Sequence, residues 1–390
     1  MRVLIVHNYY QQPGGEDVVF AAEVALLRQH GHEVVEYTED NRRINGMSRV
    51  AVAAHTIWSR PTRHRLLKIL RDIKCDVVHF HNTFPLISPS AYSACREAGV
   101  PVVQTLHNYR LLCPSATFFR DGHVCEDCLN KTLPWPGVLH TCYRGSRSQT
   151  AMVAAMLTLH RWLKTSHEQV TIYIALTEFA RRKFIEGGLP AEKLAVKPNF
   201  VDPDPGIGEN NGDYALFVGR LSPEKGVRTL LRGWQCLNGI PLKIVGDGPL
   251  MDEVRMFVQK QKLDCVEVLG QRASGEVLSL MKGARFLVFP SEWYETFGRV
   301  AIEAFACGVP VIASRLGAMA EIVEEECTGM LFNPGNPQDL ADKIRWAANH
   351  PEAIACMGKN ARQIFEEKYT SEKNYKMLLD IYERAIRWEN

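Results

Sequence analysis

Residues 290–314 read PSEWYETFGRVAIEAFACGVPVIAS, and the architecture can be built outward from them. They overlap the apolar run RFLVFPS (285–291), continue with helical periodicity and end in a second apolar run, PVIAS (310–314). A buried strand, a helix and another buried strand predict a unit of a parallel sheet. Glu295 and Glu303 lie eight residues apart, and Glu303 has apolar neighbours. An unpaired carboxylate in such surroundings costs roughly 2 to 5 kcal/mol, so Glu303 needs a partner.

The same alternation of apolar runs and helix-period segments extends over the whole chain. Strands are predicted at 3–7, 32–38, 76–82, 101–108 and 171–178, and again at 214–220, 241–248, 265–271, 285–291 and 310–314. The sequence therefore predicts an α/β protein with two doubly wound parallel-sheet domains. The domains are expected at 1–200, with a cysteine-rich excursion at 109–145, and at 214–370. A linker rich in Gly, Pro and Asn joins them at 201–213, and a tail helix follows at 371–390.

Composition and charge exclude several classes of protein. The 390 residues are 46% hydrophobic and 23% charged, as in soluble globular proteins, and the net charge of +2 does not indicate nucleic acid as the main partner. The apolar run at 151–159 is far shorter than the roughly 20 residues of a spanning helix. The segment MRVLIVHNYY resembles a first strand and not a signal peptide, so a reducing cytoplasmic setting is expected.

The motif GRLSPEKG (219–226) directly follows the strand run YALFV. Ser222 is expected to cap a following helix, and Arg220 and Lys225 are expected to bracket its N-terminus. Free N–H groups at a helix start, a guanidinium fork and an ammonium together suit a diphosphate. The alternative is a capped helix with two surface cations.

Two further strand ends carry weaker signals. Gly246 and Gly248 lie in GDGP, which lacks the third glycine of a dinucleotide fingerprint. Gln271 and Arg272 lie in GQRASGEV, where Ser274 is expected to cap a helix and backbone groups to line a nucleobase slot. Tight strand-to-helix turns explain both motifs equally well.

The helix within 290–314 is expected to begin near Phe297 and Gly298, with Glu295 in the loop before it. Gly298 allows a ligand to approach the backbone, and the first N–H groups can bind a phosphate. Anionic Glu295 and Glu303 would repel that phosphate, so they are expected to accept hydrogen bonds from hydroxyl groups. The alternative is that Glu303 is buried against an arginine such as Arg285 or Arg299.

In the first half, Gly14 and Gly15 of QQPGGED follow the first strand, with a helix expected after Glu16. The two glycines free the backbone to approach a ligand, although an ordinary glycine turn is the alternative. His107, in LHNYR, lies at another strand end, where a ligand role and a structural role are equally plausible. His7, His79 and His81 are expected to be structural.

Four of the eleven cysteines form a separate group with the spacing C-x11-C-x2-C-x13-C. Cys113, Cys125, Cys128 and Cys142 suit tetrahedral Zn²⁺, and disulfides or thiols are the alternatives. Four thiolates would leave no open coordination position, so the expected role of a metal is structural.

Together the motifs G-R-L-x-P-E-K-G, G-D-G-P and P-S-x-x-x-E-x-F-G-x-x-x-I-E-A-x-A-x-G-x-P-V-I-A-S resemble the retaining glycosyltransferases of family 4, which have the GT-B fold. PGGED and LHNYRLLCP are similar to a bacterial exopolysaccharide-type branch. The resemblance implies two Rossmann-like domains facing across a cleft, with the tail helix crossing back to the first. It also implies that Gly15 closes over a nucleotide-sugar donor and that His107 contacts the sugar.

For the second half, the resemblance implies that Arg220 and Lys225 hold the donor diphosphate, that Glu303 binds the ribose hydroxyls and that Glu295 faces the transferred sugar. The remaining donor-binding positions on this reading are Gly14, Gly219, Gly246, Gly248, Gln271, Arg272, Phe297, Gly298, Arg299 and Val300.

The implied activity is sugar transfer with retention of configuration, from a UDP-sugar, with UDP-glucose the first expectation, to a glycan or lipid-linked glycan acceptor in polysaccharide synthesis. No cofactor is needed for the chemistry. The alternatives are a nucleotide-sugar 2-epimerase, a sugar phosphorylase or a non-catalytic nucleotide-sugar-binding subunit. The amphipathic segment 148–169 either contacts the inner face of the plasma membrane or forms a helix that faces the core.

Overall fold

The structure is a computed structural model that describes residues 1–12, 14–208, 212–237 and 239–389. Part of the predicted linker, 209–211, lies outside the described residues. The chain divides into two units. Unit 1 comprises Met1–Phe118, Cys125–Asn199 and Asn374–Asn390, and unit 2 comprises Phe119–Val124 and Phe200–Lys373.

Up to residue 199 the structure contains eight strands and eight helices among the described residues. The strands are β1 (Arg2–Tyr9), β2 (Glu33–Asp40), β3 (Val77–Phe80), β4 (Val102–Thr105), β5 (Phe119–Arg120), β6 (His123–Val124), β7 (Ile172–Ala175) and β8 (Leu194–Val196). The helices are α1 (Gly15–Gln29), α2 (Arg49–Ile57), α3 (Arg60–Ile73), α4 (Ser90–Ala98), α5 (Trp135–Leu139), α6 (Arg147–Trp162), α7 (Thr165–Glu168) and α8 (Glu178–Glu186). Six strands form a parallel sheet in the order β2-β1-β3-β4-β7-β8, and β5 and β6 form a short antiparallel hairpin.

After residue 200 the described chain contains six strands and eight helices. The strands are β9 (Ala215–Val218), β10 (Leu242–Val245), β11 (Val266–Gly270), β12 (Phe286–Phe289), β13 (Val311–Ser314) and β14 (Gly329–Phe332). The helices are α9 (Val227–Gln235), α10 (Met251–Lys260), α11 (Ser274–Gly283), α12 (Arg299–Ala306), α13 (Met319–Ile322), α14 (Pro337–Asn349), α15 (Pro351–Lys368) and α16 (Ser371–Glu389). The strands form a second parallel sheet, in the order β11-β10-β9-β12-β13-β14. The prediction of two parallel-sheet domains is confirmed.

Burial of the central strands explains why they appear as continuous apolar runs in the sequence. Val3, Leu4, Ile5 and Val6 of β1 are all fully buried, since helices cover both faces of a parallel sheet. In unit 2 the fully buried Trp234 of α9 packs in one core with strands β9, β10 and β12. The last helix belongs to unit 1, where its Leu378, Ile381, Tyr382 and Ala385 join the core of β1, β3 and β7.

The strand orders determine where ligands can bind. In the second sheet the order reverses direction beside β9, whose neighbours are β10 and β12. In the first sheet the corresponding reversal lies between β1 and β3. Open parallel sheets bind ligands beyond the carboxyl ends of strands at such reversals. The loops after β9 and β12 and those after β1 and β3 are therefore the positions where a site is expected.

Several local expectations were wrong. Helix α1 begins at Gly15, so Glu16 lies in its first turn and does not precede it. Ser222 precedes a three-residue 3₁₀ turn at Pro223–Lys225, and α9 begins only at Val227. Arg220 and Lys225 therefore both precede the helix and do not bracket its start. Ser274 is the first residue of α11, and the capping contact comes from Glu276, whose carboxylate accepts from the Ala273 N–H at 3.1 Å.

Candidate functional site

The loops after β9 and β12 meet through an ion pair. Lys225 Nζ donates to Glu295 Oε1 at 2.6 Å, although the two residues are 70 positions apart in the sequence. The Ser291 hydroxyl donates to the same carboxylate oxygen at 2.8 Å. Glu295 is buried, and its carboxylate is held by the Lys225 and Ser291 hydrogen bonds. Lys225 is partly exposed, so its side chain reaches solvent. The structure thus brings two of the predicted site residues into direct contact.

The Lys225 ammonium also lies against aromatic rings. Its Nζ is 5.1 Å from the centre of the Trp293 ring and 6.0 Å from that of Phe289. Aromatic faces attract cations weakly and also exclude water from one side. The cation is therefore held in a fixed position beside the β12 loop.

The predicted glycines at the ends of β9 and β10 pack the two loops against each other. Gly219 N–H donates to the Val245 carbonyl at 3.0 Å, and Leu221 N–H donates to the Asp247 carbonyl at 3.0 Å. Gly246 has a φ of +138°, and a Cβ placed on it would lie 1.9 Å from the Gly219 carbonyl oxygen. A Cβ on Gly248 would lie 2.5 Å from the Leu221 carbonyl oxygen. Close backbone packing therefore accounts for these glycines, as the turn alternative requires.

Helix α12 begins after Gly298, which has a φ of +113° and occupies the N-cap. Its first N–H groups, starting with Arg299 and Val300, have no acceptor within the helix and can bind an anion. Glu303 is half-buried one turn further on, and its Oε1 lies 3.1 Å from Arg299 Nη2. Burial raises the pKa of Glu303, and the Arg299 guanidinium opposes that shift.

Glu303 therefore makes the contact with Arg299 that the structural alternative predicted. Arg285, the other suggested partner, instead donates to the carbonyl oxygens of Ala347 and Ala348. Because the Glu303 side chain remains 17% exposed, the carboxylate can bind a ligand while it is paired.

The other predicted donor-binding residues of unit 2 differ in exposure. Arg220 is exposed after β9, and Gln271 and Arg272 are exposed after β11. Phe297 is buried, with its ring 6.0 Å from that of Tyr369, so its role is packing at the entrance to α12. Val300 is half-buried. Cations, helix N–H groups and two carboxylates thus occur together at the strand reversal of the second sheet.

In unit 1 the start of α1 is fixed by Asp17. Its carboxylate accepts from the Gly14 N–H at 2.8 Å and is hydrogen-bonded to His7 Nε2 at 2.7 Å. Gly14 is half-buried and Gly15 is exposed, so the N-terminus of the helix is open to solvent. The structure therefore holds the glycine loop by its acidic neighbour, in agreement with a structural role for His7.

Glu16 is a candidate that the sequence reasoning missed. The Tyr10 hydroxyl donates to its Oε2 at 3.0 Å, and the Asn108 amide lies 3.5 Å from the same atom. Burial raises the pKa of Glu16 to about 8, and the hydrogen bonds from Tyr10 and Asn108 oppose part of the shift. The sequence did contain a signal for this residue, namely a carboxyl group beside a pair of glycines at the start of a helix.

His107 belongs to a chain of polar groups in unit 1 that the sequence also did not reveal. His107 Nε2 lies 3.0 Å from His81 Nδ1, and His81 Nε2 lies 3.3 Å from Glu23 Oε2. Lys197 Nζ donates to Glu23 Oε1 at 2.6 Å. Burial and the neighbouring His81 lower the pKa of His107 well below its ordinary value. His107 is therefore a neutral imidazole at the carboxyl end of β4.

Glu23 carries the negative charge in this chain. Burial raises the pKa of Glu23, but the Lys197 ammonium and His81 more than offset it, so the pKa is well below its ordinary value. The ionised carboxylate therefore lies between the Lys197 ammonium and the His81 ring, whose Nε2 is 3.3 Å from Glu23 Oε2.

Among the described residues, one group of metal-binding side chains has its ligand atoms close together. Ligand atoms of Glu23, His79 and His81 lie within 4.8 Å of one another, but Lys197 already supplies a cation to Glu23. Both His79 nitrogens have partners, in Tyr382 and Thr105 at 2.8 Å. A metal ion there would displace these contacts, so this group fits a hydrogen-bonded network better.

Of the four predicted zinc ligands, Cys113, Cys125 and Cys142 lie near enough to Cys128 to affect its thiol. Burial raises the pKa of the Cys128 thiol to about 12, and Cys113, Cys142 and Cys125 add to the shift through their own charge. Cys113 and Cys128 are buried, and the Cys113 sulfur lies 3.1 Å from Ser115 Oγ. Among the described residues, the four sulfurs do not form a group with all ligand atoms within 4.8 Å of one another, so the fit of this set to zinc rests on residue type and spacing.

Among the described residues, no helix combines the length and the apolar character that are needed to cross a bilayer.

Comparisons with known proteins agree with this geometry. Residues 13–205 match the family model described as Glycosyltransferase Family 4, and residues 205–364 match that described as Glycosyl transferases group 1. The family models and the fold thus define a glycosyltransferase of the GT-B type. The chain belongs to the family 4 glycosyltransferases, as the sequence motifs predicted.

Curated relatives include an N-acetyl-alpha-D-glucosaminyl L-malate synthase of Bacillus anthracis, which is 33% identical over 99% of this chain and 98% of its own. A glycosyltransferase of Methanocaldococcus jannaschii is 32% identical over 92% of each chain. Another from that organism is 39% identical over 45% of this chain and 49% of its own.

Solved structures confirm the fold. HepE of Anabaena in complex with UDP has a TM-score of 0.70 at 20% identity and covers 97% of this chain and 99% of its own. A sucrose-phosphate synthase of Thermosynechococcus elongatus has a TM-score of 0.73 at 17% identity over 98% of each chain.

Proposed function

We propose that this chain transfers a hexose from a UDP-sugar to a glycan or lipid-linked glycan acceptor, with retention of configuration. The observation that carries the proposal is the ion pair between Lys225, in the loop after β9, and Glu295, in the loop before α12, with Glu303 inside that helix. This arrangement offers a cation and N–H groups for a diphosphate and carboxylates for hydroxyls on either side of it.

UDP-glucose is the first donor to test. Structures of HepE hold UDP with glucose and UDP-glucose, and that protein shares the fold of this chain. On this proposal Arg220, Lys225 and the α12 N–H groups bind the diphosphate, and Glu303 accepts from the ribose hydroxyls. Glu295 accepts hydrogen bonds from hydroxyls of the transferred sugar.

The leaving diphosphate gains negative charge as the glycosidic bond breaks, and the fixed cation and N–H groups stabilise that charge. The anomeric carbon passes through an oxocarbenium-like state, and the acceptor hydroxyl attacks from the face that the diphosphate leaves. The configuration is retained because the attack comes from that same face. The departing phosphate oxygen takes the acceptor proton. Glu295 binds sugar in this scheme and does not attack, because Lys225 and Ser291 already hold its charge.

A donor screen tests the proposal. Purified protein is heated with UDP-, GDP- and ADP-sugars, and the melting temperature is expected to rise with a UDP-hexose, since binding stabilises the folded state by mass action. Release of UDP is then measured with and without a pool of oligosaccharide acceptors. UDP released only with acceptor supports transfer. A 2-epimer formed without acceptor would instead support an epimerase, and donor binding without any turnover would support a non-catalytic subunit.

The biological setting is proposed on the same basis. Retention and a lipid-linked or glycan acceptor fit synthesis of envelope or extracellular polysaccharide in the cytoplasm, at the inner face of the plasma membrane. Product analysis by NMR gives the anomeric configuration directly, and an inverted anomer would refute the mechanism.

We also propose that Cys113, Cys125, Cys128 and Cys142 bind one structural Zn²⁺. Thiolate ligation would compensate the charge that the four sulfurs would otherwise impose on each other and would fix the excursion at 109–145. The chemistry of transfer does not involve this ion. Metal analysis of purified protein is expected to give one equivalent of zinc, and its absence would leave disulfides or thiols.

A further inference from the structure

An open apolar groove of about 780 Å³ lies in unit 1 between α5 and α6. Few polar atoms line the groove, and its wall consists mainly of large apolar side chains: Leu133, Trp135, Leu139, Leu159 and Trp162. Helix α6 buries its opposite face, with Val153, Met156 and Leu157 in a small core. The alternative that segment 148–169 faces the core therefore holds for this buried face of α6. The face of α6 that lines the groove is apolar as well.

The rim of this groove is unusually exposed for apolar side chains. Trp162 is 77% exposed, Trp135 and Leu139 are each 54% exposed, and Leu133 is 50% exposed. Single exposed apolar residues are normal on soluble proteins, whereas a contiguous group with two tryptophans indicates a binding surface. Tryptophan is the residue type most characteristic of the boundary between water and lipid.

The charge around the groove has one sign. From Cys128 to His167 the sequence contains five Lys or Arg residues and no Asp or Glu, although the whole chain has 44 acidic against 46 basic residues. Lys131, Arg144, Arg147 and Lys164 are exposed. Arg161 instead ties α6 to the preceding loop, through carbonyl oxygens that include those of Thr132 and Leu111. Four cations are thus available to an anionic partner.

We propose that this face of unit 1 binds the surface of an anionic lipid bilayer, with Trp135 and Trp162 at the level of the headgroups. An interfacial helix of this kind needs an apolar face for the acyl boundary and basic residues for anionic headgroups, and both are present. A second copy of the chain is a poorer occupant, since two such faces in a symmetric contact would bring like charges together.

The surface deepens the proposed function because it would bring the enzyme to a lipid-linked acceptor, but bilayer binding does not itself depend on transferase activity. Two measurements separate the two ideas. Sedimentation with lipid vesicles reports the surface, and UDP-sugar binding in the absence of vesicles reports the donor site.

The test uses the full chain with vesicles of phosphatidylcholine alone and vesicles in which half of the lipid is phosphatidylglycerol. We expect binding to the anionic vesicles, with binding to the neutral ones at least about tenfold weaker. Lys164→Gln and Arg147→Gln should each weaken binding about fivefold, as expected for one cation near an anionic surface. Trp162→Ser should weaken it about tenfold or more, because apolar area is no longer removed from water.

Two matched controls lie outside the groove. Trp388→Ser removes another half-exposed tryptophan of unit 1, and Arg255→Gln removes an exposed cation of unit 2. Neither should change vesicle binding, and none of the five variants should change donor binding in solution. The proposal is overturned by equal binding to neutral vesicles, by no binding to either, or by a dimer of the wild-type chain that Trp162→Ser dissociates.

Discussion

Replacement of Lys225 by alanine probes the leaving-group chemistry directly. The ammonium lies 2.6 Å from Glu295 Oε1 and has aromatic rings on one side, so its position is fixed before a donor binds. Alanine removes the charge and leaves the buried Glu295 carboxylate with the Ser291 hydroxyl. Because the lysine side chain is partly exposed, water can take its place and the fold is expected to survive, with a loss of about 1 to 3 kcal/mol in the free energy of unfolding.

The effect on catalysis follows from Coulomb's law. A lysine about 4 Å from one phosphate charge contributes about 4 kcal/mol at an effective dielectric constant of about 20. The full contribution acts on kcat/KM, which should fall about 10³-fold. The donor diphosphate is charged before the reaction, so only the charge that develops later affects kcat. If the charge that develops during the reaction accounts for about half of the 4 kcal/mol, kcat falls about 30-fold.

The assay is acceptor-dependent UDP release at several donor concentrations, so that kcat and KM are separated. Arg228→Ala is the matched control, since Arg228 lies three residues further on in an exposed pair with Glu253 and should leave both constants nearly unchanged. Lys225→Arg should recover part of the loss. A folded Lys225→Ala enzyme with unchanged kcat/KM would refute the role of this cation in leaving-group stabilisation.

Four further expectations concern the other groups of the molecule. Glu303→Gln should raise KM for the donor about tenfold with little change in kcat, since it removes charge from a ribose contact, and kinetics with UDP-hexose decides. Glu23→Gln should lower kcat/KM and shift its pH profile, because the variant lacks the carboxylate charge that raises the pKa of His107; an unshifted profile would leave Glu23 a purely structural role. Lys197→Met should lower the free energy of unfolding by about 3 to 5 kcal/mol at pH 7, measured by urea denaturation. The depressed pKa of Glu23 contributes stability above its unfolded value of about 4.3, which is lost as the pH falls through the folded pKa. The wild type should therefore lose this contribution in acid. The difference in the free energy of unfolding between the wild type and Lys197→Met should then become smaller. Cys128→Ser should release the zinc and lower the melting temperature, whereas an unchanged metal content would exclude this ligand set.

Much of the fold could be predicted because strands buried on both faces are apolar along their whole length. That pattern identified ten of the twelve strands in the two large sheets. The other two, β8 (Leu194–Val196) and β14 (Gly329–Phe332), lie at the ends of their sheets and contain only the three-residue apolar runs LAV and MLF. Such short runs between polar residues also occur in loops, so sequence periodicity alone does not distinguish them.

The site was predictable where one residue is anomalous in its own neighbourhood. Glu303 could be identified because it interrupts an apolar helix, and Glu23 interrupts the buried face of α1 in the same way, among Val19, Phe20, Val24 and Leu27. The contacts themselves were not predictable. Glu23, His81, His107 and Lys197 come from separate elements, and only the order of strands in the sheet brings them together.

The placement of α16 in unit 1 has a consequence for synthesis of the chain. The buried Tyr382 hydroxyl is hydrogen-bonded to His79, and the Asn374 amide donates to the Pro198 carbonyl, so the first core is completed by residues that follow unit 2 in the sequence. During translation, unit 1 therefore lacks one side of its core until residues beyond 374 have emerged. A chain truncated before residue 374 would leave the core of unit 1 open, and chaperones would bind the half that is made first.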